Sequence, residues 1–412
     1  MFSRDTWKEI FEAIGKNKLR TFLTGFTVAL GILIFVTLFG MGNGLNNTFE
    51  KFFGDDATNI IRLFPTQTSI PYGGYKAKRQ IEFDNGDMED IENNFSALID
   101  YITPRISRTA LVTYKEESDN YNTRAVAPGH QYAEKTIMMK GRFINETDLA
   151  EKTKYAVIGR LIERDLFKDD EEALGKYIDV GGSAFKVIGV FQDDGGDNEE
   201  RYMYIPYTTR QLLEGNNDKV AQIIVAFNES IGYAGALQFQ TKLDEFLRKK
   251  KVISPEDPRG IYIENVADNL KKNQQFAGAL QLIISGIAFA VIISGVIGIS
   301  NIMLFVVKER TKEIGIRKAM GATPRKITGT IMFESIFITA IFGFFGMIIG
   351  IVILNLIQGE TLEENYFITK PAINTGTAVF VTILLIVCGA IAAYVPARRA
   401  ARIKPIVALR DE

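Results

Sequence analysis

Three absences narrow what this chain can be. It has one cysteine, Cys388, and one histidine, His130, in 412 residues. A single thiol makes no disulfide within the chain, so any domain outside the cytoplasm must hold itself by its own core. A single imidazole excludes a histidine-rich metal site, and within APGHQY His130 reads as a turn residue. Phosphate-loop chemistry is missing as well. The G-x-x-x-x-G-K-[ST] pattern needs a hydroxyl after its lysine, whereas Gly15–Lys16 is followed by Asn17 and Gly175–Lys176 by Tyr177. HExxH, GxSxG and CxxC do not occur either. Asp193, Asp194 and Asp197 lack the alternating ligand spacing and closing Glu of a calcium loop, so the acidic stretch 192–202 reads as solvated. The expectation is a non-catalytic chain that binds no cofactor or metal itself, has no nucleic-acid partner, and draws its energy from elsewhere.

What is present is hidden by the averages. Hydrophobic residues make up 47% and charged residues 24%, as in an ordinary soluble protein. The apolar residues are clustered, however. A hydrocarbon core about 30 Å thick needs about 20 apolar residues in a helix, because lipid satisfies no backbone N–H or C=O. Four uncharged runs meet that test: 21–41, 276–307, 335–357 and 375–394, the third at the end of a helix expected from 327. They are apolar all round, unlike the amphipathic helices of a soluble core. The first run is too long for a signal-peptide core and leads into MGNGLNNTFEKFF without a small-residue cleavage site, so it reads as a retained anchor.

Orientation follows from the loops, since positive charge beside spans stays in the cytoplasm. Residues 1–20 carry a net charge of +2, the loop 308–326 carries +5 and the tail 395–412 carries +3. The segments 42–275 and 358–374 carry −8 and −2. Every segment supports one arrangement: a multi-pass membrane protein, both termini cytoplasmic, with 42–275 outside.

The outer segment reads as an α+β domain. GLNNTFEKFF (44–53) and ENVADNLKKNQQF (264–276) continue the first span and lead into the second, as two stalk helices. Strands are predicted at 59–64, 96–107, 108–114, 122–128, 154–160, 176–182, 183–191, 201–206 and 219–227. Helices are predicted at 85–94, 159–167 and 231–251. Two lobes are expected, one from 54–100 with 215–263, the other (101–214) inserted into it. SIPYGGYKAKRQ (69–80) reads as a mobile loop.

Within the spans, Gly286, Ala290, Ser294 and Gly298 recur every fourth residue, and Gly346 and Gly350 form a GxxxG pair. Small residues let helices approach closely in lipid, where no hydrophobic force drives association. The four-residue stripe is the stronger of the two helix-packing signals. No charge lies in mid-membrane, which argues against an ion pathway. Glu334, at the cytoplasmic edge of the third span, is placed to snorkel or to pair with Arg325 or Lys326.

The most informative segment is VVKERTKEIGIRKAMGATPRKITGTIMFE (306–334). Its charges are patterned along a short helix that Gly321 and Ala-Thr-Pro bring to a stop. A compact charged helix at a membrane surface suits docking into a groove on a cytoplasmic protein. This segment closely resembles the signature of the MacB/FtsX-type permeases of ABC transporters, written ERxxEIGIRKAMGA. GKNKLRTFLTGFTVALGI (15–32) resembles their entry into the first span, and Glu334 matches an acid of the family. YVPARRAARIKPIVALRDE (394–412) resembles their C-terminus, with matches at Pro396, Arg398, Arg399, Ala400, Pro405, Ala408, Leu409 and Arg410.

The resemblance implies a membrane fold of four helices, with a two-lobed periplasmic domain between the first two. It implies that Glu309, Arg310, Glu313, Ile314, Gly315, Arg317, Lys318 and Gly321 couple the chain to two copies of a cytoplasmic ABC ATPase that binds ATP and Mg. It also implies a homodimer or a pair with a homologous permease and, in the MacB-like branch, a periplasmic adaptor and an outer-membrane channel. The function implied is mechanical: export or envelope handling driven by movement of the outer domain. Unlike MacB itself, the sequence carries no fused N-terminal ATPase domain, so the ATPase is expected in trans. The competing expectations are a membrane-anchored sensor or scaffold, and an FtsX-like regulator of cell-wall hydrolases.

Overall fold

The computed structural model describes residues 18–54, 57–168, 171–193, 198–360, 373 and 375–403. The chain divides into two compact units, one of 1–48 with 276–412 and one of 49–275.

The first unit is helical. Its long helices are α1 (Lys18–Gly54), α8 (Val266–Glu309), α10 (Pro324–Glu360) and α11 (Thr375–Ala401), with the short α9 (Thr311–Ala319) between α8 and α10. Among the described residues, three segments are long and apolar enough to cross a membrane: Gly25–Leu45, Val266–Glu309 and Pro324–Ile357. The uncharged run 375–394 lies within α11.

Glycines set how these helices approach. A Cβ at Gly346 would sit 2.2 Å from the Ala29 carbonyl oxygen, and one at Gly350 would sit 2.6 Å from Val36 Cγ1. The GxxxG pair therefore seats α10 on α1. Two turns before Gly346, Thr339 of α10 meets Gly389 of α11. The four-residue stripe on α8 behaves differently. Gly286, Ala290 and Ser294 are exposed, and a Cβ at Gly286 or Gly298 meets nothing within 4 Å. The face that α8 packs within this unit is instead Ala288, Ile292, Ile299 and Met303. The weaker of the two small-residue signals is thus the one that packs inside the chain.

In the second unit the strands are β1 (Ile60–Pro65), β2 (Phe83–Asp84), β3 (Ile99–Tyr114), β4 (Glu117–Val126), β5 (Ile137–Gly141), β6 (Tyr155–Gly159), β7 (Tyr177–Val180), β8 (Ser183–Gln192), β9 (Tyr202–Pro206), β10 (Lys219–Val220), β11 (Gln222–Phe227) and β12 (Ile261–Asn265). Its helices are α2 (Asn85–Phe95), α3 (His130–Ala133), α4 (Glu146–Ala150), α5 (Arg160–Leu166), α6 (Tyr207–Leu213) and α7 (Gly232–Lys250). One sheet orders β12-β1-β11-β3-β4-β9-β6-β8-β5, with β7 bridging β3 and β8. The sequence patterns at 96–107 and 108–114 are one strand, β3, and the boundary expected at residue 101 falls inside it. β3 pairs with β4 on one side from Arg105 to Tyr114, and on the other first with β11 and then with β7. That bridge closes β3-β4-β9-β6-β8-β7 into a ring, because a 16-residue strand is long enough to serve two neighbours on one edge.

The strand β11 is buried along its whole length, as a central strand covered on both faces must be. α7 covers the sheet with Ala236, Phe239, Leu243 and Leu247, a stripe at helical spacing. α2 starts where Asp84 caps it and Asp87 returns the bond to the Asp84 backbone. Lys250 and Lys251, at the end of α7, reach the fully buried Asp87 at 2.8 and 2.6 Å, fixing α7 to α2.

The centre of the sheet is polar. Glu134 accepts from Arg124 at 2.8 Å and Arg105 at 3.1 Å, with Arg62 at 3.8 Å. Arg124 also lies 3.5 Å above the Tyr202 ring. Beside them His130 is fully buried, edge-on to Tyr204. It is the first residue of the short helix α3 rather than a turn residue. Burial, backed by Arg105, Arg124 and Arg62, pushes its imidazole down to about 3. Burial alone would raise the Glu134 carboxyl, but His130 and the three guanidiniums hold it down to about 2.

The segment 69–80 is pinned, not loose. Asp257, nearly fully buried, accepts from the Ser69 and Ile70 backbone N–H groups at 2.8 and 3.0 Å, and Arg79 donates to the Val252 carbonyl at 2.9 Å. Tyr72 and Tyr75 pair at its tip.

Candidate functional site

The segment singled out by its charge pattern forms a small, defined structure inside the helical unit. α8 ends at Glu309, Arg310 forms the corner, and α9 runs Thr311–Ala319. Gly321 ends α9 with φ of +95°, a left-handed conformation that only glycine adopts without strain. The Gly321 N–H donates to the Lys318 carbonyl at 3.1 Å and the Ala322 N–H to the Arg317 carbonyl at 3.0 Å. This is the Schellman arrangement, which satisfies helix-end carbonyls and turns the chain sharply. Pro324 then opens α10, where its missing N–H costs nothing.

The residues expected to couple the chain to a partner separate into two groups. Facing inward, Ile314 and Gly315 are buried, Ile314 within the helical core beside Ile327 and Ile331. Arg310 Nη1 donates to both Glu334 oxygens, at 3.1 and 3.3 Å, and Glu334 is nearly buried. Glu334 therefore takes its cation from Arg310, not from Arg325 or Lys326, because the corner at 310 brings that side chain under α10. The Lys318 ammonium also points inward, donating to the carbonyls of Ala401 at 2.8 Å and Ile403 at 2.7 Å. Facing outward are Lys312, Glu313, Ile316 and Arg317, followed by Met320 and Gly321. Ile316 is 42% and Met320 76% exposed, two apolar side chains four residues apart and so on one stripe.

Beside this helix lies a cleft of about 600 Å³ that Arg310, Glu313, Ile314, Arg317, Lys326 and Glu334 help to line. Chemically it is mixed, with three cations and two carboxylates over an apolar floor. No group of acids or cysteines suited to a metal occurs among the described residues. The arrangement can hold a protein surface.

Of the tail residues, Pro396 is buried within α11, and Arg398 and Arg399 are exposed. Pro405, Leu409 and Arg410 lie outside the described residues. The sequence pattern placed Lys318 in the coupling set without giving it a direction. It left out Ile316 and Met320, for which two apolar residues four apart in a charged helix were the available signal.

Comparison with known proteins agrees along the chain. The family described as "MacB-like periplasmic core domain" matches residues 21–236, and the one described as "FtsX-like permease C-terminal" matches residues 285–405. The macrolide export ATP-binding/permease protein MacB of Wolinella succinogenes is 28% identical over 412 residues, covering 99% of this chain and 61% of that protein. Its counterpart in Bdellovibrio bacteriovorus is 27% identical, covering 98% and 61%. The chain spans about three-fifths of the length of these curated relatives. Among solved structures, the periplasmic region of MacB from Actinobacillus actinomycetemcomitans aligns with 19% identity and a TM-score of 0.44, covering 54% of this chain and 95% of that one. The extracellular domain of the noncanonic ABC-type transporter YknZ from Gram-positive bacteria aligns with 16% identity and a TM-score of 0.42, covering 50% and 100%.

Proposed function

Because this chain belongs to the MacB/FtsX-type permeases of ABC transporters, we propose that it converts ATP hydrolysis by a separate nucleotide-binding domain into movement of its outer domain. The observation that carries this reading is α9: a short helix anchored to its unit by Ile314 and Arg310, with Ile316, Met320, Lys312, Glu313 and Arg317 turned outward. No phosphate loop occurs in these 412 residues, so ATP and Mg bind to that partner. Two copies of the permease, or this chain and a homologous one, work with two ATPase copies.

In this reading the chain crosses the inner membrane four times, through α1, α8, α10 and α11, with α9 and both ends of the 412-residue segment on the cytoplasmic side. The outer domain has two lobes that share β3. Closure of the ATPases pushes on α9 and moves α10 and α11 with it. The absence of charge from the four apolar runs supports helices that relay motion over helices that conduct. The outer domain does the work on its substrate or on an adaptor leading to an outer-membrane channel. The relatives' names suggest export of an amphipathic compound such as a macrolide.

The test is retention of the ATPase by the full chain. Arg310 is a poor probe, since its removal also strands Glu334. Ile316→Asp with Met320→Asp alters only the outward face. We expect that double variant to reach the membrane and to lose the ATPase during purification. Retention equal to the unmodified chain, or no ATPase bound by the unmodified chain, overturns the reading and favours a sensor or scaffold.

A further inference from the structure

Lys318 is drawn from a basic stretch, yet it is not spent on a partner. Its ammonium donates to two carbonyls, Ala401 at 2.8 Å and Ile403 at 2.7 Å. Ala401 is the last residue of α11, and Ile403 lies two residues beyond. Carbonyls at a helix end have no intrahelical donor and carry the negative pole of the helix dipole. An ammonium there satisfies the acceptors and matches the pole, and its three hydrogens can serve two carbonyls at once. The side chain is half-buried, so water competes less for these bonds than at an open surface. Lys312, on the same helix, remains exposed.

The other end of α9 is tied differently. Arg310, at the corner before it, pairs with Glu334 of α10 at 3.1 Å. α9 is therefore pinned at one end to α10 and at the other to the end of α11. A helix held at one point can swing without moving what lies behind it. A helix held at both ends cannot shift without shifting both neighbours.

We propose that Lys318 is a positioning residue that binds α9 to the C-terminal end of α11, so that displacement of α9 is passed to α11 as well as to α10. This rests on the reading of α9 as the docking helix. It adds that the last span is driven through one lysine rather than through the ATPase contact itself. A predicted consequence is a division of labour on α9. Changes at Ile316 or Met320 release the partner, whereas changes at Lys318 leave the partner bound and lose its effect on α11.

The experiment uses the full chain in lipid nanodiscs with its ATPase, spin-labelled at Lys312 of α9 and at Arg402 just beyond α11, both exposed. With Lys318 intact, the distance distribution should be narrow and unchanged by nucleotide. Lys318→Met should broaden it and let it shift with nucleotide, while the ATPase stays bound and hydrolyses ATP. Lys318→Arg, which keeps charge and donors, should restore the narrow distribution. If Lys318→Met does not accumulate, Lys318→Gln takes its place with the same expected broadening.

A distribution as narrow as the unmodified one, with and without nucleotide, overturns the proposal. Broadening accompanied by loss of the ATPase also overturns it, because Lys318 would then be a general support of the fold. If the unmodified chain binds no ATPase, the docking reading fails alone, and the nucleotide-free distributions still decide the Lys318 bond.

Discussion

Glutamate 134 holds three arginines together at the centre of the outer sheet, and Glu134→Gln should unfold that unit at markedly lower temperature. The carboxylate is nearly buried, with Arg124 at 2.8 Å, Arg105 at 3.1 Å and Arg62 at 3.8 Å. Its loss leaves Glu264 against Arg62 at 3.6 Å and Glu199 against Arg124 at 3.1 Å, but provides Arg105 with no other carboxylate within 4 Å among the described residues. Removing one partner from a buried ion pair costs roughly 3–5 kcal/mol, because the remaining charge is stranded away from water. For a unit of this size each kcal/mol shifts the midpoint by about 2–4 °C, so a fall of about 10 °C is expected.

The assay is thermal unfolding of the full chain in detergent, followed by protease sensitivity of the outer unit. pH sharpens it. The folded His130 value of about 3 lies below its ordinary 6.5, so the unfolded chain binds a proton that the folded one refuses. Stability therefore falls as pH drops from 6.5 toward 3. Glu134, at about 2 against 4.5, loses its contribution as pH drops from 4.5 toward 2. The unmodified protein should weaken on acidification through both windows, and Glu134→Gln should be flatter below pH 4.5. An unchanged midpoint in Glu134→Gln, or stability that rises on acidification from pH 6.5, refutes the reasoning.

Four further outcomes are expected. Gly321→Val places a branched side chain at φ of +95°, costing about 1–2 kcal/mol locally, and should reduce ATPase retention without preventing membrane insertion. Gly346→Val should overpack α10 against Ala29 and lower the yield of folded protein by ~1–3 kcal/mol of stability. Gly286→Val meets open space within the chain and should leave the yield unchanged, as size-exclusion recovery would show. Asp257→Ala removes the acceptor for Ser69 and Ile70. It should make Lys76 and Lys78 trypsin-sensitive with little change in the thermal midpoint; resistance equal to the unmodified chain would mean that other contacts hold the segment.

What could be read from the sequence follows physical scale. Long apolar runs and alternating strands such as 183–191 announce themselves locally, because burial of one face dictates periodicity. β5 and β12, at the two edges of the sheet, are not so marked, since an edge strand need not bury every second side chain. β3 read as two pieces, divided between Ser107 and Arg108 where polar residues interrupt the apolar pattern, whereas unbroken pairing with β4 from Arg105 to Tyr114 carries the strand through them. At the coupling segment, Gly321 and the short helix were legible from punctuation and charge. The direction of Lys318 was not, because its acceptors lie more than 80 residues away, at and just beyond the end of α11. The same holds for Glu134, whose three arginines converge only when β1, β3 and β4 share a sheet.

The central claim, that the outward face of α9 meets the ATPase, is tested most directly by a photoreactive amino acid at single positions in intact cells. Placed at Ile316 or Met320, it should crosslink to the ATPase; placed at the buried Ile314, it should not. No ATPase adduct from Ile316 or Met320, or adducts of equal strength from Ile314, would contradict the account.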